Sequence, residues 1–197
     1  MTAYLPELAI AAALAWGSGL RAYAVIFATG LAGALGWVEL PGYLSALQHP
    51  LVLGACGFMT CVELFADKLP WLDSVWDAIH SFIRIPAGAA LAAAVFGDAG
   101  SAVAISAAIL GGSLTAAVHA AKAGTRAAIN TSPEPFSNWA ASLAEDAIVP
   151  AGLWVAFTHP VLFFILLALF LAGALLLARL LWRGVSSLMR RTHVHRS

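Results

Sequence analysis

The chain has 197 residues, of which 61% are hydrophobic and only 10% are charged, and its formal net charge is zero. A soluble domain of this length needs far more polar surface, and a neutral chain has no general attraction for nucleic acid. With a mean hydropathy of +0.88, the composition predicts an all-α polytopic membrane protein. We expect one transmembrane domain over residues 1–183 and a basic tail over 184–197.

Apolar runs separated by turn residues predict about six transmembrane helices, since roughly 20 apolar residues cross a bilayer. The predicted spans are 8–36, 51–69, 86–99, 101–122, 138–157 and 160–183. A turn over 131–135 precedes the fifth span. Between the second and third spans, Trp71 to Ile85 has polar and apolar faces at helical spacing, which predicts an amphipathic helix at the membrane interface. Six short spans enclose little volume, so we expect a homodimer surrounded by membrane lipids.

Charge placement predicts the orientation of the chain. The connecting segments 37–50, 98–100 and 158–160 contain no Lys or Arg, whereas Lys68 and Arg126 lie at the opposite ends of the predicted spans. Cytoplasmic loops are rich in Lys and Arg. The pattern therefore predicts a multi-pass protein of the inner (cytoplasmic) membrane with both termini in the cytoplasm.

Two short motifs indicate an internal repeat. The segment Gly17 to Tyr23 resembles Lys122 to Ala128, and Glu63 to Asp67 resembles Ser142 to Asp146. Two halves of three spans, 8–99 and 101–183, would be inserted with opposite orientation, a plan common in transporters. Chance similarity is the alternative, because each match covers a few residues only.

Seven ionisable side chains lie between Glu63 and Arg84 in a chain with few charges. Glu63 and Asp67 are spaced i, i+4 and share a helix face. A charge at the bilayer centre costs about 2.5–3.5 kcal/mol on insertion scales, so such carboxylates need partners or a cavity. A close carboxylate pair can carry a proton. The alternative is that Asp67 and its neighbour Lys68 mark the cytoplasmic edge.

Asp73, Asp77, His80 and Arg84 follow one another on a single face of the predicted amphipathic helix. Asp77 and His80 are candidates for a proton or metal site. Their i, i+3 spacing alone does not predict a metal centre, because no second group of ligands lies near them in the sequence. The alternative is an interfacial helix whose charges pair with one another and with lipid headgroups.

Arg21 is the most isolated charge in the chain, and the adjacent Gly17, Ser18 and Gly19 allow a break in the helix. It needs a carboxylate, for which Asp67 or Asp146 is suited, or an anionic ligand. A purely stabilising ion pair is equally consistent with the pattern.

Two further groups of charges lie in the second half of the chain. Lys122, Arg126 and Asn130 share a helical face and either hold an anion or only set the orientation. Glu145 and Asp146 are adjacent in the fifth span and point about 100° apart on a helix, so at least one requires a partner.

The segment Ala66-Asp67-Lys68-Leu-Pro70, continued by Trp76-Asp77-Ala-Ile-His80 and Phe82-Ile-Arg84-Ile-Pro86-Ala-Gly88, resembles a bacterial integral-membrane family catalogued only as a domain of unknown function. The resemblance includes Ser18-Gly-Leu-Arg21-Ala-Tyr23 and extends over about residues 8–160. It implies a small membrane protein and no established activity.

Catalytic motifs such as Gly-x-Ser-x-Gly, a Walker loop or His-Glu-x-x-His are missing from the sequence. We therefore expect no enzyme activity, no cofactor and no metal. The predicted function is transport of a small anionic solute or a lipid phosphate, coupled to protons or cations. The alternatives are a cation channel or exchanger and a non-transporting scaffold or assembly factor. The candidate binding residues are Arg21, Glu63, Asp67, Asp77, His80, Arg126, Glu145 and Asp146.

Overall fold

The computed structural model describes residues 4–130 and 136–194 and contains helices but no strands within them. The six α-helices in this part of the chain are α1 (Leu5–Ala34), α2 (Pro50–Ala66), α3 (Pro70–Val95), α4 (Ser101–Ile129), α5 (Phe136–Thr158) and α6 (Pro160–Val194). Short 3₁₀ segments at Gly42–Gln48 and Gly97–Ala99 precede α2 and α4. Three of the helices begin at a proline. Proline is favoured at the first helical position because an N–H there has no intrahelical acceptor, so its absence costs no hydrogen bond.

The number of candidate membrane spans agrees with the sequence prediction. Five helices of the described residues are long and apolar enough to cross a membrane. The 3₁₀ segment Gly42–Gln48 and α2 meet at an angle of 73° and together form a sixth candidate. The prediction of an all-α polytopic membrane protein is thereby confirmed. The predicted turn at 131–135 and residues 195–197 of the tail lie outside the described residues.

The amphipathic segment and the third predicted span form one continuous helix, α3, and are not separate elements. Pro86 lies inside α3 on an exposed position. The Asp77 and Arg84 side chains are buried by the neighbouring helices. Arg84 and Asp77 of this polar face pair with each other and with Glu63 of α2 and Lys122 of α4. Pairing of the face with lipid headgroups stays a prediction. The Asp73 side chain lies outside the described part of the structure.

Helix α1 is broken at Arg21, whose φ of −149° and ψ of 81° are not helical. A Cβ added at Gly17 would lie 2.7 Å from Cγ2 of Val25. In a straight helix, residues eight apart are separated by about 12 Å along the axis. The chain therefore folds back at Arg21, and the Ser18 hydroxyl, which donates to the Leu14 carbonyl at 2.6 Å, marks the last turn of the first arm.

Both ends of α1 lie at the same end of the helix bundle. Leu8 and Phe96 line one cavity, and Gly30 packs against Leu47 in the 3₁₀ segment that also contacts the end of α3. Helix α6 starts at this end, because Phe164 lines the Leu8 cavity, and it runs away from it for 35 residues. The expectation that both termini lie on one side of the membrane required α1 to cross it once, and it stays a prediction.

Close backbone contacts hold α1, α3 and α4 together at the centre of the bundle. A Cβ at Gly19 would lie 2.8 Å from the Thr115 carbonyl oxygen, and a Cβ at Gly88 would collide with the Thr115 side chain. Thr115 donates its hydroxyl hydrogen to the carbonyl oxygens of Ala15 and Gly111, each at 2.8 Å. The small residues thus bring the helix that carries Arg21 close to the helices that carry its neighbours.

The two halves of the chain differ in shape. Helix α1 folds back at Arg21, whereas α4, which carries the related motif, continues to Ile129. The repeat therefore remains a prediction. The segment 184–194, predicted as a tail, continues α6 as a helix.

A candidate binding site: the buried charged cluster

Ten ionisable side chains from five helices and the α2–α3 connection lie in one connected network, which we call the charged cluster. Its basic members are Arg21, Lys68, Arg84, Lys122 and Arg126, and its acidic members are Glu63, Asp67, Asp77, Glu145 and Asp146. Five cations face five carboxylates, so the cluster is neutral when all ten are ionised. Seven of the eight candidate residues belong to it, including charges 125 positions apart in sequence.

Arg21 joins two flanks of the bundle at the point where α1 folds back. Its Nη1 lies 3.0 Å from Asp67 Oδ2, and its Nη2 lies 2.8 Å from Asp146 Oδ1. Nη2 also donates to the Ser142 hydroxyl at 3.0 Å. Because Asp67 follows α2 and Asp146 belongs to α5, one guanidinium holds two otherwise distant elements. The sequence proposed either carboxylate as a partner, and the structure brings both to Arg21.

Arg84 holds the opposite edge of the cluster. Its Nη2 donates to Glu63 Oε1 at 2.6 Å and its Nη1 to Asp77 Oδ1 at 2.5 Å. Sequence reasoning did not include Arg84 among the candidate residues, although its position on the face of Asp77 was the available signal.

Lys122 connects the two edges. Its Nζ lies 3.1 Å from Glu145 Oε2, 3.4 Å from Asp67 Oδ2 and 3.5 Å from Asp77 Oδ1. The same ammonium donates to the Leu20 carbonyl oxygen at 3.0 Å. The break at Arg21 interrupts the helical bonding of nearby carbonyls, so Lys122 satisfies backbone that the fold-back exposes. Lys122 was not among the eight candidates either.

Arg126 fixes the end of α4 against α5. Its Nη2 lies 3.0 Å from Glu145 Oε1, and its Nη1 donates to the Asn138 side-chain oxygen at 2.5 Å. The Asn138 amide in turn donates to the Asp67 carbonyl oxygen at 3.1 Å. The side chain proposed from sequence as an anion-binding group is thus engaged by an internal carboxylate.

Two histidines lie beside the cluster. His80 stacks on Trp76 at a centroid separation of 4.0 Å, and its Nδ1 is 2.9 Å from the carbonyl oxygen of that residue. His119 Nε2 is 2.6 Å from the Ser81 hydroxyl, and its Nδ1 is 3.4 Å from Arg84 Nη1. The hypothesis of a proton or metal site built from Asp77 and His80 stays a prediction. Within the described residues, no group of three or more metal-binding side chains is present.

Solvent exposure is unequal across the cluster. Asp67 and Arg84 are fully buried, whereas the side chain of Asp146 is 22% exposed and that of Lys68 is 38% exposed. The edge of the cluster with Asp146 and Lys68 is therefore partly exposed, and the edge with Arg84 is buried. Five buried carboxylate oxygens of the cluster make no hydrogen bond in the described structure: Glu63 Oε2, Asp67 Oδ1, Asp77 Oδ2, Glu145 Oε2 and Asp146 Oδ1.

A cavity of about 430 Å³ between α4, α5 and α6 reaches the cluster. Lys122 and Glu145 are the two charged residues in its lining, and Leu20, next to Arg21, lies beside them. The remaining walls are formed mainly by small and apolar side chains of α4 and α6. The charged cluster is thus connected to a space large enough for a small organic molecule.

Comparison with known proteins gives a family but no activity. The family model described as Domain of unknown function (DUF4126) matches residues 8–180. No curated protein and no solved structure matches the chain.

Proposed function

The chain belongs to the DUF4126 family, and because that description names no activity, we propose a function from the charged cluster: proton-coupled transport of a small anionic solute across the membrane. The observation that carries the proposal is Arg21, a guanidinium at a helix break that contacts carboxylates of two other elements at 2.8 and 3.0 Å. Interrupted helices with charged ends toward the bundle interior are typical of substrate sites in transporters.

The cost of the cluster supports a role beyond structure. Buried ion pairs are often no more stabilising than well-packed apolar side chains of similar volume. Ionisable groups inside a membrane protein typically mark substrate, ion or proton pathways. The chain has 20 Lys, Arg, Asp and Glu residues in all, and ten of them are brought together in this one cluster. The unfavourable free energy of burying charge is thus concentrated at one place. The partial exposure of Asp146 supplies a route by which an anion reaches Arg21.

The same geometry suggests how protons are coupled to the anion. An anion added to a neutral cluster leaves it with an uncompensated charge in a medium of low dielectric constant. Protonation of one carboxylate removes that charge. We assign the anion to Arg21 and Arg126 and the proton to the carboxylates around them.

A second candidate is a cation exchanger. It is favoured by the buried carboxylate oxygens that make no hydrogen bond in the described structure, which include one each on Glu63, Asp67 and Asp77. In that case the carboxylates bind the transported ion, and Arg21 only holds the helices together.

Reconstitution into liposomes tests the proposal. We expect purified protein to carry acetate, nitrate or phosphate together with protons, measured with a pH-sensitive dye inside the vesicles. Arg21→Gln should abolish this flux, whereas Arg179→Gln, at an exposed position of α6, should not change it. Flux of sodium or potassium that survives Arg21→Gln and is lost in Glu63→Gln would favour the exchanger. Absence of any flux would contradict both transport hypotheses and favour a non-transporting protein in which the cluster only stabilises the fold.

The location and assembly proposed for the protein follow the same observations. The end of the bundle with Lys68 and Arg126 is placed in the cytoplasm, because the other end lacks basic residues in its loops. With α1 folded back, the amino-terminal end of α1 is then extracytoplasmic. The inner membrane and a homodimer remain part of this proposal.

A further inference from the structure

Glu145 is held by a group of cations that could equally hold the carboxylate of a bound ligand. Its Oε2 lies 3.1 Å from Lys122 Nζ and 3.9 Å from Arg21 Nη2, and its Oε1 lies 3.0 Å from Arg126 Nη2. Three cations from two helices therefore surround one carboxylate. The other four carboxylates of the cluster each contact one or two cations. The Arg126 contact is a charge-assisted hydrogen bond, a strong kind of contact with an anion, and the other two contacts are ion pairs.

The cation site can be reached from the cavity between α4, α5 and α6. Glu145 and Lys122 lie at its charged end, and Phe170, Gly173 and Ala174 belong to its apolar wall. A molecule that approaches the cations along this path contacts apolar surface with its body and charge only at one end. The cavity thus favours an organic anion with one acidic group and an apolar body over an inorganic ion.

Charge balance decides what must accompany such a ligand. Glu145 contacts Arg21 of α1 and Lys122 and Arg126 of α4. Arg21 and Lys122 also face Asp67 of the α2–α3 connection, Asp77 of α3 and Asp146 of α5. Lys68 lies 4.0 Å from Asp146, and His119 lies one turn before Lys122. The cavity wall from α6 is apolar. A second carboxylate beside ionised Glu145 would leave a buried negative charge, which one proton removes.

We propose that Glu145 is an internal substitute for the substrate, and that an apolar monocarboxylate displaces it from Lys122 and Arg126 as Glu145 takes up one proton. The ligand enters as an anion, the proton binds the Glu145 carboxylate, and the net charge of the cluster does not change. Neutral Glu145 no longer attracts the cations and leaves them to the ligand. This inference rests on the proposed function and adds its substrate class, its proton acceptor and an electroneutral stoichiometry.

Calorimetry of benzoate binding to the detergent-purified protein tests the proton step. Titrations in two buffers with different ionisation enthalpies count the protons taken up. We expect about one proton per benzoate for the unmodified protein, since one added charge requires one neutralising proton. In Glu145→Gln, which keeps the side-chain shape, benzoate should bind without proton uptake. His159→Gln should retain the uptake, because His159 is exposed at the connection between α5 and α6, outside the charged cluster. Binding by the unmodified protein without proton uptake, or uptake that persists in Glu145→Gln, would overturn the inference.

The cavity offers a test that leaves every charge in place. A side chain at Gly173 would meet no atom within 4 Å, so Gly173→Leu fills the cavity without a clash at its Cβ. Gly54 on α2 has equally open surroundings and does not line this cavity, so Gly54→Leu is the matched control. We expect Gly173→Leu to weaken benzoate binding by about tenfold or more, which corresponds to 1.4 kcal/mol. Equal binding by both variants would show that benzoate does not use the cavity, and the inference fails.

Separate outcomes distinguish this inference from the proposed function. If the protein carries small anions into liposomes but neither benzoate nor octanoate binds it, transport stands and the assignment of substrate and Glu145 is wrong. If benzoate binds with proton uptake while no anion crosses the vesicle membrane, the site stands and the transport proposal fails.

Discussion

Arg21 and its partners illustrate how single residues determine this protein. The side chain is 1% exposed and contacts two carboxylates from different elements. Its isolation in an apolar segment made it a candidate from sequence, as did the intramembrane position of Glu63, Asp67, Glu145 and Asp146. Arg84 and Lys122 were missed for the opposite reason. A basic residue near the end of a predicted span is common. Only the tertiary structure shows that these two side chains are buried against carboxylates of other helices.

Removal of the Arg21 guanidinium should destabilise the fold. Arg21→Ala leaves Asp67 and Asp146 without their common partner, and breaking a buried pair in this way costs about 3–5 kcal/mol. Thermal unfolding in detergent, followed by tryptophan fluorescence, measures the loss. Arg179→Ala, at an exposed position, should stay within about 0.5 kcal/mol. Equal unfolding temperatures for the two variants would contradict the role given to Arg21.

Two lysines of the same cluster should differ in their contribution to stability. Lys122 is buried, contacts three carboxylates and donates to the Leu20 carbonyl, so Lys122→Met should cost about 3–5 kcal/mol. Lys68 is 38% exposed and lies 4.0 Å from Asp146, so Lys68→Met should cost less than about 1 kcal/mol. The same unfolding measurement compares them. A larger loss in Lys68→Met would show that the exposed edge, not the centre, holds the cluster.

At the scale of the helices, small residues decide how closely the elements pack. Gly88 of α3 lies against Thr115 of α4, and an added methyl group would collide with that side chain. The sequence indicated close packing from its Ala- and Gly-rich segments. It placed a boundary inside α3 because a proline and a change in polarity suggested two helices. The continuous helix forms because the polar face of its first half is buried by charges from elsewhere.

Alanine at two glycines should have effects of opposite sign. Gly88→Ala forces Thr115 to move away from the Ala15 carbonyl, to which it now donates at 2.8 Å, and overpacking of this kind costs about 1–3 kcal/mol. Gly54→Ala meets no atom within 4 Å and should stabilise α2 by about 0.5–1 kcal/mol. Unfolding temperatures that fall for the first variant and rise for the second would agree with the packing. A shift of the same sign in both would contradict it.

At the scale of the whole molecule, the fold-back of α1 brings distant segments to the same end of the helix bundle. The amino-terminal end of α1, the 35–49 segment and the 96–100 segment share one end of the bundle, while the distal end of α6 lies at the other. Charge counting alone, applied to six straight spans, put both termini on one side. In the topology proposed above, α1 does not cross the membrane, so the same pattern of basic residues puts the two termini on opposite sides.

Labelling of single cysteines tests this arrangement. In a Cys56→Ser, Cys61→Ser background, cysteine replaces one exposed residue at a time: Tyr4, Glu39 or Arg183. We expect a membrane-impermeant maleimide to label Tyr4→Cys and Glu39→Cys from the extracytoplasmic side of whole spheroplasts, and Arg183→Cys only in inverted vesicles. Labelling of Tyr4→Cys and Arg183→Cys from the same side would show that α1 crosses the membrane once.

The sequence by itself determined the class of the protein, the extent of most helices and the identity of the costly charges. These properties are local, because a bilayer requires each spanning segment to satisfy its own backbone bonds and so imposes a helix on every long apolar run. Only the tertiary structure decided that α1 turns back at Arg21, that α3 is one helix and that ten charges meet beside a cavity. The fold-back depends on the dihedral angles of one residue. The cluster depends on side chains more than a hundred positions apart, whose approach no local pattern encodes.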